Sequence, residues 1–224
     1  MKIEKTTILV FVAVTFISGL LTKVNANLIV NGSFEVGPDP GPAGFVTLPG
    51  VSTAITGWTV TREGIDYKGT FWVASDGSRS LDLDSSPGFG GIMQTFATTP
   101  GVNYLVTFDM AGNPYWDPQL NDPAIKYMRV EAAGQSADFS FDVTGHSFGA
   151  MGWVTNSWRF TAIGSSTTIE FCSLDTFAAG YSGCCGPVLD NVNVSMSTTP
   201  EPATVALLGL GALGLIRGRR RQGK

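Results

Sequence analysis

Gly186-Pro187-Val188-Leu189-Asp190-Asn191-Val192-Asn193-Val194 is the stretch whose reading decides the fold. Val188, Asn191 and Asn193 alternate loosely against Leu189, Val192 and Val194, and β-branched residues are enriched, which is the pattern of a strand. Pro187 can open a strand but not sit in its middle. Asp190 is the odd residue, a carboxylate in an apolar run. Once buried it needs a positive partner, hydrogen bonds or a metal.

Upstream the chain reads as the sandwich this strand closes. Asn27 to Val30, Gly57 to Val60, Phe71 to Val73, Ser80 to Asp84 and Gly91 to Phe96 are short strand candidates. Asn103 to Met110, Lys126 to Ala132, Ala137 to Val143, Trp153 to Thr161 and Thr167 to Ser173 continue the series. With turn signals between them and no convincing helix, about ten short strands predict an all-β chain, a single β-sandwich or jelly roll. In Ser80-Leu81-Asp82-Leu83-Asp84 the period of two turns the leucines inward and both carboxylates outward. Two loops stand out, a Pro- and Gly-rich one from Gly37 to Gly50 and a polar, aromatic one from Ala111 to Ala124.

Both ends read as addresses. Residues 1–26 are a secretory signal peptide, with Lys2 and Lys5 before the apolar run Ile8 to Leu21 and Val24-Asn25-Ala26 at the cleavage site. The sandwich domain is placed at 27–195 and a linker at 196–199. The tail 200–224 contains Pro200-Glu201-Pro202, an uncharged membrane helix over 203–216, and the basic cluster Arg217, Arg219, Arg220, Arg221 and Lys224. That cluster holds the C-terminus in the cytoplasm. The tripartite tail resembles the PEP-CTERM sorting signal of Gram-negative bacteria, which implies processing by an exosortase-type enzyme and an inner-membrane intermediate on the way to the surface or the medium. Gly209 to Gly214 fits G-x-G-x-x-G, but no βαβ unit surrounds it, and small residues in a membrane helix explain it.

Between Asn27 and Thr199 six basic residues face sixteen acidic ones, a net of −10. That disfavours nucleic acid as a partner and suits calcium or neutral sugars. Cys172, Cys184 and Cys185 are an odd set for an oxidising compartment, and a bridge from Cys172 to one of the adjacent pair is expected. No C-x-x-C occurs and His146 is the only histidine, so zinc is disfavoured and His146 is taken as a loop residue.

Asn27 to Glu35, Gly57-Trp58, Asp76 to Leu83, Gln94-Thr95-Phe96 and Gly186 to Val192 together resemble the choice-of-anchor C family, which is related to a domain of uncharacterised function in plant cell-wall proteins. The resemblance implies a galactose-binding-like jelly roll, a scaffold of carbohydrate-binding modules, and no enzyme. It also implies that Glu35, after the first strand, and Asp190, on the last, share a structural calcium, with Asp76 and backbone carbonyls completing the shell.

Asp82 and Asp84 as a catalytic pair, and His146 beside Ser147 as part of a triad, are set aside in favour of solvated residues. Trp58, Trp72, Trp153 and Trp158 lie in strands and are assigned to the core. Asn113, Tyr115, Trp116 and Asp117 combine an aromatic face with planar polar groups in one loop, and form the expected carbohydrate site. The functional expectation is an exported, non-catalytic protein that binds extracellular polysaccharide. A glycoside hydrolase or lyase and a purely structural surface protein are the alternatives.

Overall fold

The computed structural model describes residues 26–85, 88–115, 122–175 and 185–197. They form twelve strands and, among the described residues, no helix. The strands are β1 (Phe45–Pro49), β2 (Thr59–Arg62), β3 (Gly64–Lys68), β4 (Ser80–Asp82), β5 (Asp84–Ser85) and β6 (Gly88–Ala97), then β7 (Asn103–Gly112), β8 (Ile125–Ala132), β9 (Gln135–Asp142), β10 (Val154–Thr161), β11 (Ser166–Ser173) and β12 (Pro187–Met196). The first sheet runs β1-β3-β4-β12-β7-β10 and the second β2-β6-β11-β8-β9, with β5 on β6. The all-β sandwich expected from the sequence is therefore present. The signal peptide, the membrane helix, the Pro200-Glu201-Pro202 motif, Trp116, Asp117 and Cys184 lie outside the described residues.

Strand β7 shows why the sheets face each other. Tyr104, Val106, Phe108 and Met110 alternate inward and are buried. The Phe108 ring meets Phe171 of the second sheet at 5.2 Å and Phe139 at 5.0 Å. Each fully buried side chain of this size contributes about 1.5–3 kcal/mol.

Strand β12 sits centrally, pairing with β4 on one side and β7 on the other. Its loose alternation has a cause: the register shifts between Asp190 and Asn193, and Asn191 takes a φ of 51°. This bulge puts Leu189, Val192 and Val194 on the core side despite the odd spacing.

The expected strand Asn27 to Val30 is irregular instead. The Leu28 amide donates to the Val194 carbonyl at 2.8 Å. The Asn27 side chain takes over the next positions, accepting from the Val194 amide and donating to the Val192 carbonyl. Gly32 follows because a Cβ there would lie 2.0 Å from the Val192 oxygen. Phe34 then turns into the core against Trp58, with ring centroids 5.3 Å apart.

Three further expectations are corrected. Phe71 to Val73 is no strand but part of a strap, residues 69–79, that crosses the outer face of the first sheet. β1 emerges from the stretch read as loop, and β3 from one to which no element was assigned. Asp82 and Asp84, expected to face water, are both 0% exposed. Trp58 and Trp72 are buried as expected, and Trp153 and Trp158 pack partly buried against the core.

Candidate functional site: a groove on the first sheet

Residues paired directly across an antiparallel sheet share a face, so the registers order the outer face of the first sheet. One row reads Thr47, Asp66, Asp82, Val188 and Ala111. The neighbouring row contains Phe45, Lys68 and Ser80, then Asp109 and Thr155 beside Asp190.

The second row is covered by the strap. The Asp190 Oδ2 accepts the amides of Ser75 and Asp76 at 2.8 and 2.9 Å, and its Oδ1 accepts the Asn191 amide. Burial nevertheless pushes the Asp190 carboxyl up to about 7. Asp109 accepts the hydroxyls of Ser75 and Thr155 and the Asn191 amide group. Its burial opposes ionisation, but these three bonds outweigh it and hold the carboxyl below its ordinary value. Trp72 donates its indole N–H to Ser80, and Trp153 donates to the Val73 carbonyl.

At the strap's far end Glu35 accepts the amides of Ser78 and Arg79 and the Ser78 hydroxyl, each at 2.8 Å. Gly77 has a φ of +70°, and a Cβ there would stand 2.5 Å from the Glu35 carboxylate. Glu35 and Asp190 thus hold one loop at its two ends. Their oxygens are aimed at N–H and O–H donors, which is the bonding of a turn and not of a cation shell. Among the described residues no group of three or more His, Cys, Asp or Glu is gathered as metal ligands. The oxygens of Glu35 and Asp190 to which the shared calcium was assigned are thus turned toward protein donors of the strap and of Asn191.

The first row stays open where the strap ends. A cavity of about 280 Å³ lies there, lined by Phe45, Phe71 and Tyr115 on its apolar side, by Thr47, Asp66, Lys68 and Asn113 on its polar side, and by Cys185. The aromatic rim is continuous. Phe45 meets Phe71 at 5.3 Å, Phe71 meets Phe148 at 5.1 Å, and Phe148 stacks on Tyr115 at 6.4 Å with planes 14° apart. Tyr115 is 66% exposed, so its ring offers a free face to solvent.

The floor is a closed polar network. Lys68 donates to Asp66 at 3.0 Å and lies 3.9 Å from Asp82. Its ammonium also sits 4.2, 4.8 and 5.0 Å from the ring centroids of Phe45, Phe71 and Trp72. Thr47 donates to Asp66, and Asn113 donates to Asp82 at 2.7 Å while accepting the Tyr115 amide. The other Asp82 oxygen accepts the Asp84 and Gly186 amides. Burial pushes the Asp82 carboxyl up to about 7 against the pull of Lys68.

Of the expected sugar site, Asn113 and Tyr115 line this groove. Phe45, Phe71, Asp66, Lys68 and Asp82 were not foreseen. The alternation Asp66-Tyr67-Lys68, with Tyr67 in the core, is the signal that could have found the floor.

Cys172 points out of the second sheet, where the Arg62 guanidinium donates to its sulfur, and burial pushes the thiol up to about 11. Cys185 instead lies at the groove, its thiol 3.6 Å from the Tyr115 carbonyl. Of the two partners expected for Cys172, Cys185 is not bridged to it, and Cys184 lies outside the described residues. His146 packs against Phe141 at 5.0 Å in its loop.

Fold and groove define a β-sandwich domain with a ligand-sized depression rimmed by aromatic rings. The chain belongs to the family described as a protein of unknown function, DUF642, which matches residues 27–195. This is the plant-related domain to which the sequence resemblance pointed; the narrower choice-of-anchor C name rests on that resemblance alone. Residues 198–221 match the PEP-CTERM protein-sorting motif, which marks an exported protein processed by an exosortase-type enzyme.

Halomucin of Haloquadratum walsbyi is 30% identical over 186 residues, covering 81% of this chain and 2% of that one. The Arabidopsis thaliana protein DUF642 L-galactono-1,4-lactone-responsive gene 1 is 26% identical over 84% of this chain and 49% of its own length. The chain thus spans half or less of these curated relatives. Among solved structures, a CBM4 module has a TM-score of 0.41 at 14% identity, covering 75% of this chain and 99% of that one. A CBM61 module in complex with β-1,4-galactotriose has a TM-score of 0.42 at 13% identity, covering 77% and 99%.

Proposed function

We propose that this domain is a non-catalytic glycan-binding module of an exported protein, displayed at the surface or released after an inner-membrane intermediate. One observation carries the reading: the exposed Tyr115 face stands beside a polar floor in a groove of about 280 Å³. That is near the lower end of ligand-pocket volumes and leaves room for about one or two sugar rings. An aromatic face supplies apolar contact for a pyranose, and the floor supplies acceptors for its hydroxyls. The non-catalytic reading is supported by Asp82, whose carboxyl is 0% exposed and accepts three protein donors.

The test is affinity electrophoresis and calorimetry of the domain against a glycan panel. Tyr115→Ala should weaken binding about tenfold or more, as expected for an exposed aromatic anchor, and leave the melting curve in place. Unchanged affinity would remove the groove from the binding surface.

Processing is tested separately. Glu201→Ala within Pro200-Glu201-Pro202 should leave a larger, membrane-held precursor in a host with the sorting enzyme, and identical processing would remove the membrane step. Calcium has its own measurement. Because Glu35 and Asp190 each accept three protein donors, chelator should leave the melting temperature unmoved, and a clear drop would show an ion sharing the strap.

A further inference from the structure

Resting on the glycan-binding reading, we propose that the groove selects uncharged, hydroxyl-rich sugars and turns away uronic acids. Lys68 is the only cation among the described residues lining the cavity. It is 2% exposed, paired to Asp66, close to Asp82 and enclosed by three aromatic rings. Its charge is committed to the protein, with no free approach for an incoming carboxylate.

The remaining groups point the same way. On the floor the Asp66 carboxylate neutralises the one ammonium, and the buried Asp82 carboxyl lies behind them. The Thr47 hydroxyl donates to Asp66 and the Asn113 amide group makes one N–H bond to Asp82. Of the carboxylates, Asp66 lines the cavity and keeps spare acceptor capacity, with two protein donors against about four lone-pair sites. Sugar hydroxyls can donate into such a floor. An ionised uronate carboxyl is acceptor-only, brings a like charge beside Asp66, and finds no fixed cation to pair with. The sixteen acidic and six basic residues between Asn27 and Thr199 add repulsion at longer range.

The experiment uses linkage-matched pairs that differ only in oxidation at C6, such as β-1,4-mannan with β-1,4-mannuronan and cello-oligosaccharides with their C6-oxidised forms. Chelator is present throughout, so that no divalent cation bridges the carboxylates. At low ionic strength the acidic member should bind about tenfold or more weakly, with the gap narrowing at high salt as the repulsion is screened. Asp66→Asn removes one floor charge and should raise the acidic-to-neutral affinity ratio. If that variant fails to fold, the salt dependence of the unmodified domain still decides. Equal or tighter binding of the acidic members overturns the inference while glycan binding stands. No binding to any member of the panel overturns the proposed function itself, and this selectivity with it.

Discussion

Replacing Lys126 by methionine is expected to destabilise the domain by about 3–5 kcal/mol, because it strands buried carboxylates without their counter-charge. Lys126 is 0% exposed and its ammonium contacts Asp122 at 2.5 Å and Asp175 at 3.9 Å, both carboxylates being buried themselves. Among the described residues one oxygen of Asp122 and one of Asp175 have no hydrogen-bond partner, and the buried Asp84 carboxyl has only the Ser173 hydroxyl to bond it. This end of the sandwich is already short of donors, and Lys126 is the cation that offsets it. For a domain of this size the loss corresponds to a fall of about 6–20 °C in the melting temperature. The double variant Lys126→Met with Asp122→Leu should recover much of it, since removing both partners leaves one fewer lone charge. Thermal denaturation of the two variants checks this. An unmoved melting temperature for Lys126→Met would mean that the ammonium contributes nothing net.

The residues explain which parts of this molecule were legible. Tyr104, Val106, Phe108 and Met110 announce a half-buried strand by period alone, because burial of one face is a local property of a pleated segment. Asp190 was legible as a demand, a carboxylate in an apolar strand that had to be satisfied. Its donors, the amides of Ser75 and Asp76, come from more than a hundred residues away and carry no side-chain signature. The same limit misplaced Asp82 and Asp84. Period two gives the side of a sheet, not whether that side meets water, and here Asn113, Lys68 and the Gly186 amide cover Asp82 on the outer face.

The groove was half legible. Tyr115 in a polar loop suggests a platform. Phe45 sat within a Gly- and Pro-rich stretch read as loop, and Phe71 in a stretch assigned to a strand. Their meeting at 5.3 Å depends on how the strap folds back over β1 and β3. Of the stretch from Asn31 to Glu35, Glu35 alone was read through a metal. The stretch is accounted for by backbone packing: Gly32 against Val192, Phe34 on Trp58, and Glu35 on the amides after Gly77.

The domain should be markedly more stable at pH 5 than at pH 8. Burial raises the carboxyls of Asp82 and Asp190 to about 7 and that of Asp175 to about 6, and lifts Asp84 well above its ordinary range. Each raised group holds its proton more tightly folded than unfolded. Its contribution is fully present below the unfolded value of about 3.9 and is lost as the pH climbs to the folded one. Over that window stability falls by about 1.4 kcal/mol per pH unit for each such group. Asp82 and Asp190 alone therefore give a loss of about 5 kcal/mol between pH 5 and pH 7, or about 10–20 °C in melting temperature. Asp109, Asp138 and Asp142 are shifted the other way. Their contributions are lost only as the pH falls toward and below the ordinary carboxylate range, outside this window. Urea titrations at intervals from pH 5 to 8 measure the slope directly, and Asp82→Asn should make it shallower by about one proton's worth. A slope that is flat or rising over that range would mean these carboxylates ionise inside the fold without penalty, and that donors or a bound cation compensate them.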